Sequence, residues 1–279
     1  MIRFSLIVAT IGRAAELRAL FDSLIAQGWP ALEVIVVDQN EDARLAPVIA
    51  DYAARLEIRH VRRREAHANA ARNQGLALAR GDVVGFPDDD CTLPPGVLAR
   101  VAHAFTEDPE LAVLTGPAAT PEGALGSGRW RRESGPITTA NVWTSVIEFN
   151  LWLRREVAVA LGGFDEGMGP GTRFGSAEGN DLVCRAIAAG HVARYDYDLR
   201  VVHPDKRLTD VAAARARAYG RGLGFALRRH APARAALPFF LRPVGGVVVS
   251  LLQGRLRHAA YYANTWLGRV EGFLAGGRA

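Results

Sequence analysis

Residues 70–90 read AARNQGLALARGDVVGFPDDD. An alanine-rich segment of good helix formers stops at Arg80-Gly81-Asp82, a short apolar run (Val83–Phe86) follows, and three aspartates come almost directly after it. A short continuous apolar run is what a strand buried on both faces requires, so the aspartates belong at the carboxyl end of a strand. Upstream, Phe4–Ala9 (FSLIVA) and Leu32–Val37 (LEVIVV) are runs of the same kind, ending at Thr10 and Asp38, and Glu57–Val61 reads as another strand. Between them, Ala14–Gln27 carries Leu17, Leu20, Phe21, Leu24 and Ile25 at helical spacing and is closed by Gly28-Trp29-Pro30. Ala43–Ala54 and His67–Ala79 read as helices too. Downstream the pattern predicts helix over Pro95–Phe105, strand over Leu111–Thr115 and Glu148–Leu153, and helix over Arg154–Leu161 and Glu178–Ala189. Val192–Tyr197 and Leu199–Val202 read as extended. This alternation predicts an α/β fold with a mostly parallel sheet flanked by helices, binding its ligands beyond the carboxyl ends of the strands.

The α/β pattern fills residues 1–205. The remainder, 206–279, reads as a helical tail interrupted by Gly and Pro. The formal charge of +5 is unevenly placed: from Lys206 onward there are 13 Lys and Arg against 2 Asp and Glu, a net +11, which leaves the first part at −6. A basic tail suits a polyanion. Its Arg residues lie on Ala-rich helices without a recognised nucleic-acid module, so an anionic membrane surface is the reading taken, with nucleic acid set aside. Leu237–Leu252 (LPFFLRPVGGVVVSLL) is the most apolar stretch, short of the ~20 clean apolar residues that span a bilayer. With Tyr261, Tyr262 and Trp266 nearby it suits peripheral association. Packing of these helices on the domain or on a second subunit is the alternative. Two distant cysteines, Cys91 and Cys184, make neither a disulfide framework nor a zinc site. With no signal-peptide pattern at the start, the cytoplasmic side is expected.

Three adjacent carboxylates repel one another unless they are solvated or share a cation. Hard oxygen donors of this kind suit Mg²⁺ or Mn²⁺ beside substrate phosphates; a solvated turn, with Asp90 capping a helix, is the plain alternative. Asp38 is placed to accept from a ribose or base. The turn after the first strand, Thr10-Ile11-Gly12-Arg13, has one glycine and no GxGxxG, and no P-loop occurs, which argues against NAD, FAD and P-loop nucleotides. Arg72 suits a pyrophosphate; taken alone it reads as a helix charge, and His67 as a capping residue. Glu178 and Asp181 share a helix face. Asp181 has Arg185 one turn on and reads as a structural pair, so Glu178 is the better reactive carboxylate. His203 is a transition-ion ligand type, although a lone loop histidine is usually structural.

In order along the chain, SLIVATIGR, VIVVDQN, AARNQGLALARGDVVGFPDDD, GGFDE, SAEGNDLVCRA and VVH resemble the inverting family 2 glycosyltransferases of GT-A fold, over roughly residues 3–205. The resemblance implies transfer from a nucleoside-diphosphate-sugar, uridine by default, to a glycan or lipid-linked hydroxyl. It implies that Asp38, with Thr10 and Arg13, holds the nucleoside, with Arg72 and Asp89 alongside. It further implies that Asp88 and Asp90 form a DxD motif, that Asp90, Asp88 and His203 hold Mn²⁺ or Mg²⁺, and that the acidic helix start supplies the base. Many relatives carry Glu-Asp at that start; here the second position is Gly179, so the base is Glu178, Asp181 or another group. A nucleotide-binding pseudoenzyme therefore stays open. Gly169-Pro170-Gly171-Thr172-Arg173 is similar to a loop of sugar nucleotidyltransferases but lies mid-chain, and reads as a flexible acceptor-side loop. The Gly-, Pro- and Arg-rich residues 117–139 read as a mobile loop that brings Trp130, Arg131 and Arg132 toward the acceptor.

Overall fold

The computed structural model describes residues 1–126, 128–204 and 210–277. The sequence boundary at 205/206 lies outside the described residues. The strands are β1 (Phe4–Thr10), β2 (Leu32–Asp38), β3 (Glu57–Arg62), β4 (Val83–Gly85), β5 (Leu111–Thr115), β6 (Ala118–Ala119), β7 (Gly135–Pro136), β8 (Leu151–Arg154), β9 (Val192–Tyr195) and β10 (Val201–Val202). The helices are α1 (Ala15–Ile25), α2 (Ala46–Tyr52), α3 (Ala68–Leu78), α4 (Val97–Glu107), α5 (Arg155–Ala160), α6 (Glu178–Ala188), α7 (Asp210–His230), α8 (Ala233–Leu252) and α9 (Leu256–Ala275). The main sheet has the order β3-β2-β1-β4-β8-β5-β9-β7, and β6 pairs with β10 in a small second sheet. The central strands are buried on both faces, as their continuous apolar runs demand, with one core cluster under α1 and α4 and another under α3, α5 and α6.

Two features depart from the sequence reading. The segment expected as strand over Glu148–Leu153 opens as a 3-10 turn (Glu148–Asn150) and becomes a strand only at Leu151. That strand, β8, then inserts antiparallel between β4 and β5. Among the described residues no α-helix connects β5 to β8, so the chain lacks the crossover that a parallel neighbour needs and returns in the opposite direction. The consequence is functional. The start of β8 faces the carboxyl ends of its neighbours (Gly85 opposite Trp152, Thr115 opposite Leu151), so the turn before it arrives at the ligand-binding edge. The stretch expected to be mobile, 117–139, is partly tied down: β6 pairs with β10, β7 closes the sheet edge on β9, and Gly126 N–H donates to Ala118 O (2.9 Å). Trp130 packs against both core clusters, and Arg131 donates to Pro136 O while lying over the Tyr195 ring, so neither is held out for a ligand.

The tail is a three-helix appendage. α7 and α9 touch backbone to backbone through Gly220 and Gly224 on one helix and Gly268 and Gly272 on the other; a Cβ at Gly272 would stand 1.9 Å from the Arg221 carbonyl oxygen. α8 does not break at its prolines. Pro243 leaves the Phe239 carbonyl without its helical donor, and the Arg269 guanidinium of α9 donates to that carbonyl instead. The appendage is locked to the sheet domain by polar contacts: Ser176 Oγ donates to Tyr219 O (2.7 Å), and Arg229 pairs with Asp165 (2.9 Å).

Candidate active site

Four elements converge at the carboxyl edge of the sheet: the turn after β1, the three aspartates after β4, the turn before β8, and the start of α6. The registers of β1, β2 and β4 put Thr10 beside Asp38 and bring the aspartate turn alongside. α6 leads into β9, which is parallel to β5, so its amino end lies at this same edge.

Asp89 is buried, and its carboxylate accepts from Thr10 Oγ1 (2.7 Å) and Arg13 Nη1 (2.5 Å); Arg13 also pairs with Asp90 (2.8 Å). Burial, opposed by those bonds, leaves the Asp89 carboxyl above its ordinary range. Thr10 and Arg13 thus hold the aspartate turn in place. Asp38 is fully buried. It accepts from Asn40 N (2.9 Å) and Asn40 Nδ2 (2.7 Å), and lies 2.9 Å from His60 Nε2 and 3.4 Å from Arg62. It shapes the end of β2 and aims Asn40, which accepts from Gly12 N–H (2.6 Å). A groove of about 540 Å³ opens beside it, lined by Asn40, Glu41, Arg62, Arg63 and Arg64.

His203 approaches the aspartates from the small second sheet. Its Nε2 lies 3.3 Å from Asp90 Oδ1 and 3.9 Å from Asp88 Oδ2, and its ring stacks on Phe149 (4.7 Å between centroids, 10° between planes). Nδ1 lies 2.7 Å from the Pro204 carbonyl, which only accepts, so the proton sits on Nδ1 and Nε2 faces the carboxylates. Two carboxylates facing one imidazole nitrogen need a proton or a cation between them. Asp90 Oδ1 is buried without a hydrogen bond, and an Nδ1–H held by a carbonyl is the arrangement usual behind a metal-bound imidazole. The donor set therefore fits a divalent cation. Cys91 also points here, within the same 4.8 Å group as Asp90 and His203. Burial and the neighbouring Asp88 and Asp90 charges raise its thiol well above the ordinary range, so it stays protonated and is a poor donor. For Asp90, burial pushes upward, but the neighbouring His203 ring and the charge of Arg13 prevail and hold it below the usual range.

Arg72 is buried and ties the two halves together. Nη2 donates to Asp88 Oδ1 (3.1 Å), Nη1 to Glu178 Oε1 (3.2 Å) and to Asn69 Oδ1 (2.9 Å). It is not the surface charge that its helix alone suggested. Glu178 is buried, its Oε2 lacks a partner, and burial followed by the charge of Glu148 pushes its carboxyl up to about 8. Ala177, at φ 66°, is the one non-glycine residue among the described residues held in the left-handed region, and this strained joint orients the start of α6. Asp181 points away: it binds Arg185 Nε (2.8 Å), as its spacing suggested, and also His230 Nε2 (2.8 Å) and Arg229 (3.3 Å) of α7. Its carboxylate anchors the tail. His67 caps α3, its Nδ1 accepting from Ala70 N–H. The loop at 169–173 closes on itself, Gly169 N–H donating to Phe174 O (2.8 Å), with Gly169 packed against Glu178 and Asn69.

Sequence reasoning missed Glu148 and Phe149, because a strand was expected there. The signal that pointed to them was the absent side chain at Gly179, which left an opening that another element fills.

The glycosyl transferase family 2 model matches residues 5–158. The O-antigen biosynthesis protein RfbC of Myxococcus xanthus is 33% identical over 197 residues, 67% of this chain and 15% of that protein. The Pasteurella multocida hyaluronan synthase is 36% identical over 39% of this chain and 12% of its own length. A pre-mycofactocin glycosyltransferase of Mycobacterium tuberculosis is 29% identical over 80% of this chain and 47% of its own length. The chain thus spans less than half the length of each of these curated relatives. Among solved structures, the Pyrobaculum calidifontis mannosyltransferase PcManGT in complex with GDP-Man and Mn²⁺ superposes with a TM-score of 0.70, at 19% identity, over 99% of this chain and 88% of that one. S. aureus TarS 1-349 in complex with UDP-GlcNAc does so with a TM-score of 0.65, at 16% identity, over 98% and 92%. With the GT-A architecture and the match over residues 5–158, the chain belongs to glycosyl transferase family 2.

Proposed function

We propose that the protein moves a sugar, with inversion, from a nucleoside-diphosphate-sugar to a hydroxyl of a glycan or lipid-linked acceptor, in polysaccharide or glycolipid assembly. The observation that carries this reading is the Asp90–His203 cluster joined through Asp88 and Arg72 to a buried carboxylate on α6. Support for a nucleotide-sugar comes from the solved relatives that hold UDP-GlcNAc and GDP-Man; support for glycan assembly comes from the named roles of the curated relatives. A uridine donor remains the first expectation. Asp90, His203 and Asp88 would hold Mn²⁺ or Mg²⁺, which when bound neutralises charge developing on the leaving diphosphate. Thr10, Arg13 and Asp89 fix the aspartate turn, Asp38 and Asn40 shape the nucleoside end, and Arg72 orients Asp88. A carboxylate standing over the start of α6 takes the acceptor proton; Asp181 is committed to the tail. Release of UDP or GDP from a sugar donor is the test. A protein that binds the nucleoside diphosphate but never turns a donor over is a pseudoenzyme, and pyrophosphate release from a nucleoside triphosphate with a sugar phosphate marks a nucleotidyltransferase.

The tail serves the same reading. α8 is the one helix among the described residues long and apolar enough to cross a membrane by length and composition, with a mean hydropathy of 1.8 and 17% of that window buried. Leu237, Leu241, Val244, Val248 and Leu252 are exposed at helical spacing along one face. Arg234, Arg242, Arg255 and Arg257 are exposed around it. Arg242 in mid-helix and the docked α9 favour lying in the interface over spanning, and the protein is placed peripherally on the cytoplasmic face. It is expected to sediment with vesicles rich in anionic lipid and to release as salt rises. Leu241→Glu with Val248→Glu is expected to lower the partition at least tenfold. Protein that stays in the supernatant at low salt, and is dimeric, gives this face to a second copy.

A further inference from the structure

We propose that Glu148, reaching in from the turn before β8, is the catalytic base, standing over the start of α6 in the space that Gly179 leaves open. This rests on the transferase reading above. Gly179 N–H donates to Glu148 Oε1 (3.1 Å), and a Cβ at residue 179 would meet that oxygen at 3.0 Å, the Glu148 Cγ at 3.1 Å and its Cδ at 3.3 Å. A side chain at 179 and the carboxylate of Glu148 thus compete for one place. The sequence has removed the first and supplied the second from another element.

The placement is fixed. Asn150, two residues on, donates from Nδ2 to Leu199 O (2.7 Å) and Pro117 O (3.1 Å), and Phe149 between them carries the His203 ring. One turn therefore positions both a carboxylate and the imidazole of the candidate metal cluster. Glu148 is half-buried, open enough to meet an acceptor, and is held by an N–H of the first turn of α6. Glu178 is the poorer base. It is buried, and its Oε1 receives Arg72. Burial and the charge of Glu148 push the Glu178 carboxyl up, so it holds its proton rather than taking one.

In the step, the acceptor oxygen forms its bond to the anomeric carbon as its proton passes to the Glu148 carboxylate. The bond from that carbon to the diphosphate oxygen breaks, and its electron pair leaves with the nucleoside diphosphate. Glu148 then returns the proton to solvent. Glu178 acts through Arg72 as a positioning residue.

The test uses the full chain with UDP-N-acetylglucosamine and GDP-mannose, scoring nucleoside diphosphate release beside Mn²⁺-dependent binding of UDP and GDP. A wild type that binds a diphosphate and releases none from a donor sinks the transferase reading before any variant is made. With wild-type turnover in hand, Glu148→Gln is expected to bind the diphosphate within threefold of wild type and to lose about 10²–10⁴-fold in turnover, the range for general-base catalysis. Glu178→Gln, which mimics the protonated acid but weakens its hold on Arg72, is expected to lose at least tenfold less turnover than Glu148→Gln. In Glu148→Ala, which vacates the place, adding Gly179→Asp returns a carboxylate there and is expected to restore turnover at least tenfold, while Gly179→Asn in that background restores none. Glu148→Gln turnover within threefold of wild type overturns the proposal, and so does a loss in Glu178→Gln as large as that in Glu148→Gln. A Glu148→Ala defect that Gly179→Asp leaves unrepaired overturns the base role and reduces Glu148 to a support for the α6 start.

Discussion

Asp90→Ala is expected to lose Mn²⁺-dependent nucleoside diphosphate binding and to lower kcat/KM by about 10³-fold or more, about 4 kcal/mol of transition-state stabilisation. The fold is expected to survive it unharmed. Asp90 Oδ1 is buried without a hydrogen bond, and the residue adjoins two further aspartates, so removing it relieves repulsion as well as deleting a ligand. What is lost is the pair with Arg13, whose side chain is 43% exposed and which is worth about 0–1 kcal/mol, and the 3.3 Å contact with His203, whose ring keeps its stacking on Phe149 and its contact with the Pro204 carbonyl. Urea unfolding of Asp90→Ala is therefore expected to lie within about 1 kcal/mol of wild type. A residue kept at no benefit to stability is the mark of a functional site. An active Asp90→Ala enzyme removes the metal-cluster account, and a strongly destabilised one shows that the aspartate serves the fold.

Arg72→Met is expected to cost both activity and stability. The guanidinium is buried and holds Asp88, Glu178 and Asn69 at once, with its plane over the Phe164 ring (5.4 Å). Breaking a buried pair costs about 3–5 kcal/mol when the surviving charge has no partner. Here the cost is held to about 3 kcal/mol, because Glu178 already favours its proton and Asp88 reaches solvent. Arg72→Lys keeps the charge but not the fork. It is expected to fold within about 2 kcal/mol of wild type and still lose at least about 10²-fold in turnover, since an Asp88 displaced by an ångström misplaces the diphosphate. Denaturant midpoints and donor turnover, measured on both variants, separate the two contributions. Full activity in Arg72→Lys means that the bridge serves folding alone.

The two halves of the site differed in how legible they were. β1, β2 and β4 announce themselves because a strand buried on both faces must be a continuous apolar run, and a polar residue at its end, Thr10 or Asp38, stands out. The aspartate triplet is conspicuous because its repulsion requires a reason. What the sequence hides is contact made across long separations. Asp181 showed its partner one turn away, Arg185, but not His230 forty-nine residues on, so its anchoring of the tail stayed out of sight. Arg72 looked like a surface charge, since nothing local says that Glu178 will cover it. The prolines of α8 promised a break that the Arg269 contact with the Phe239 carbonyl prevents. Glycines 220, 224, 268 and 272 carry a four-residue spacing on two helices, a readable signal of close packing that acquires meaning only once the helices are paired. Glu148 was hidden by the antiparallel return of β8, a topological fact without a local signature.

The central claim, a cation-dependent nucleoside diphosphate site at the Asp90–His203 cluster, is tested most directly by calorimetric titration of the wild-type chain with UDP, GDP and dTDP, with Mn²⁺ and then with chelator. Saturable binding of one diphosphate that disappears on chelation is the predicted result, and the base bound names the donor class. Binding of none of the three in the presence of Mn²⁺, or binding unchanged by chelator, contradicts the claim.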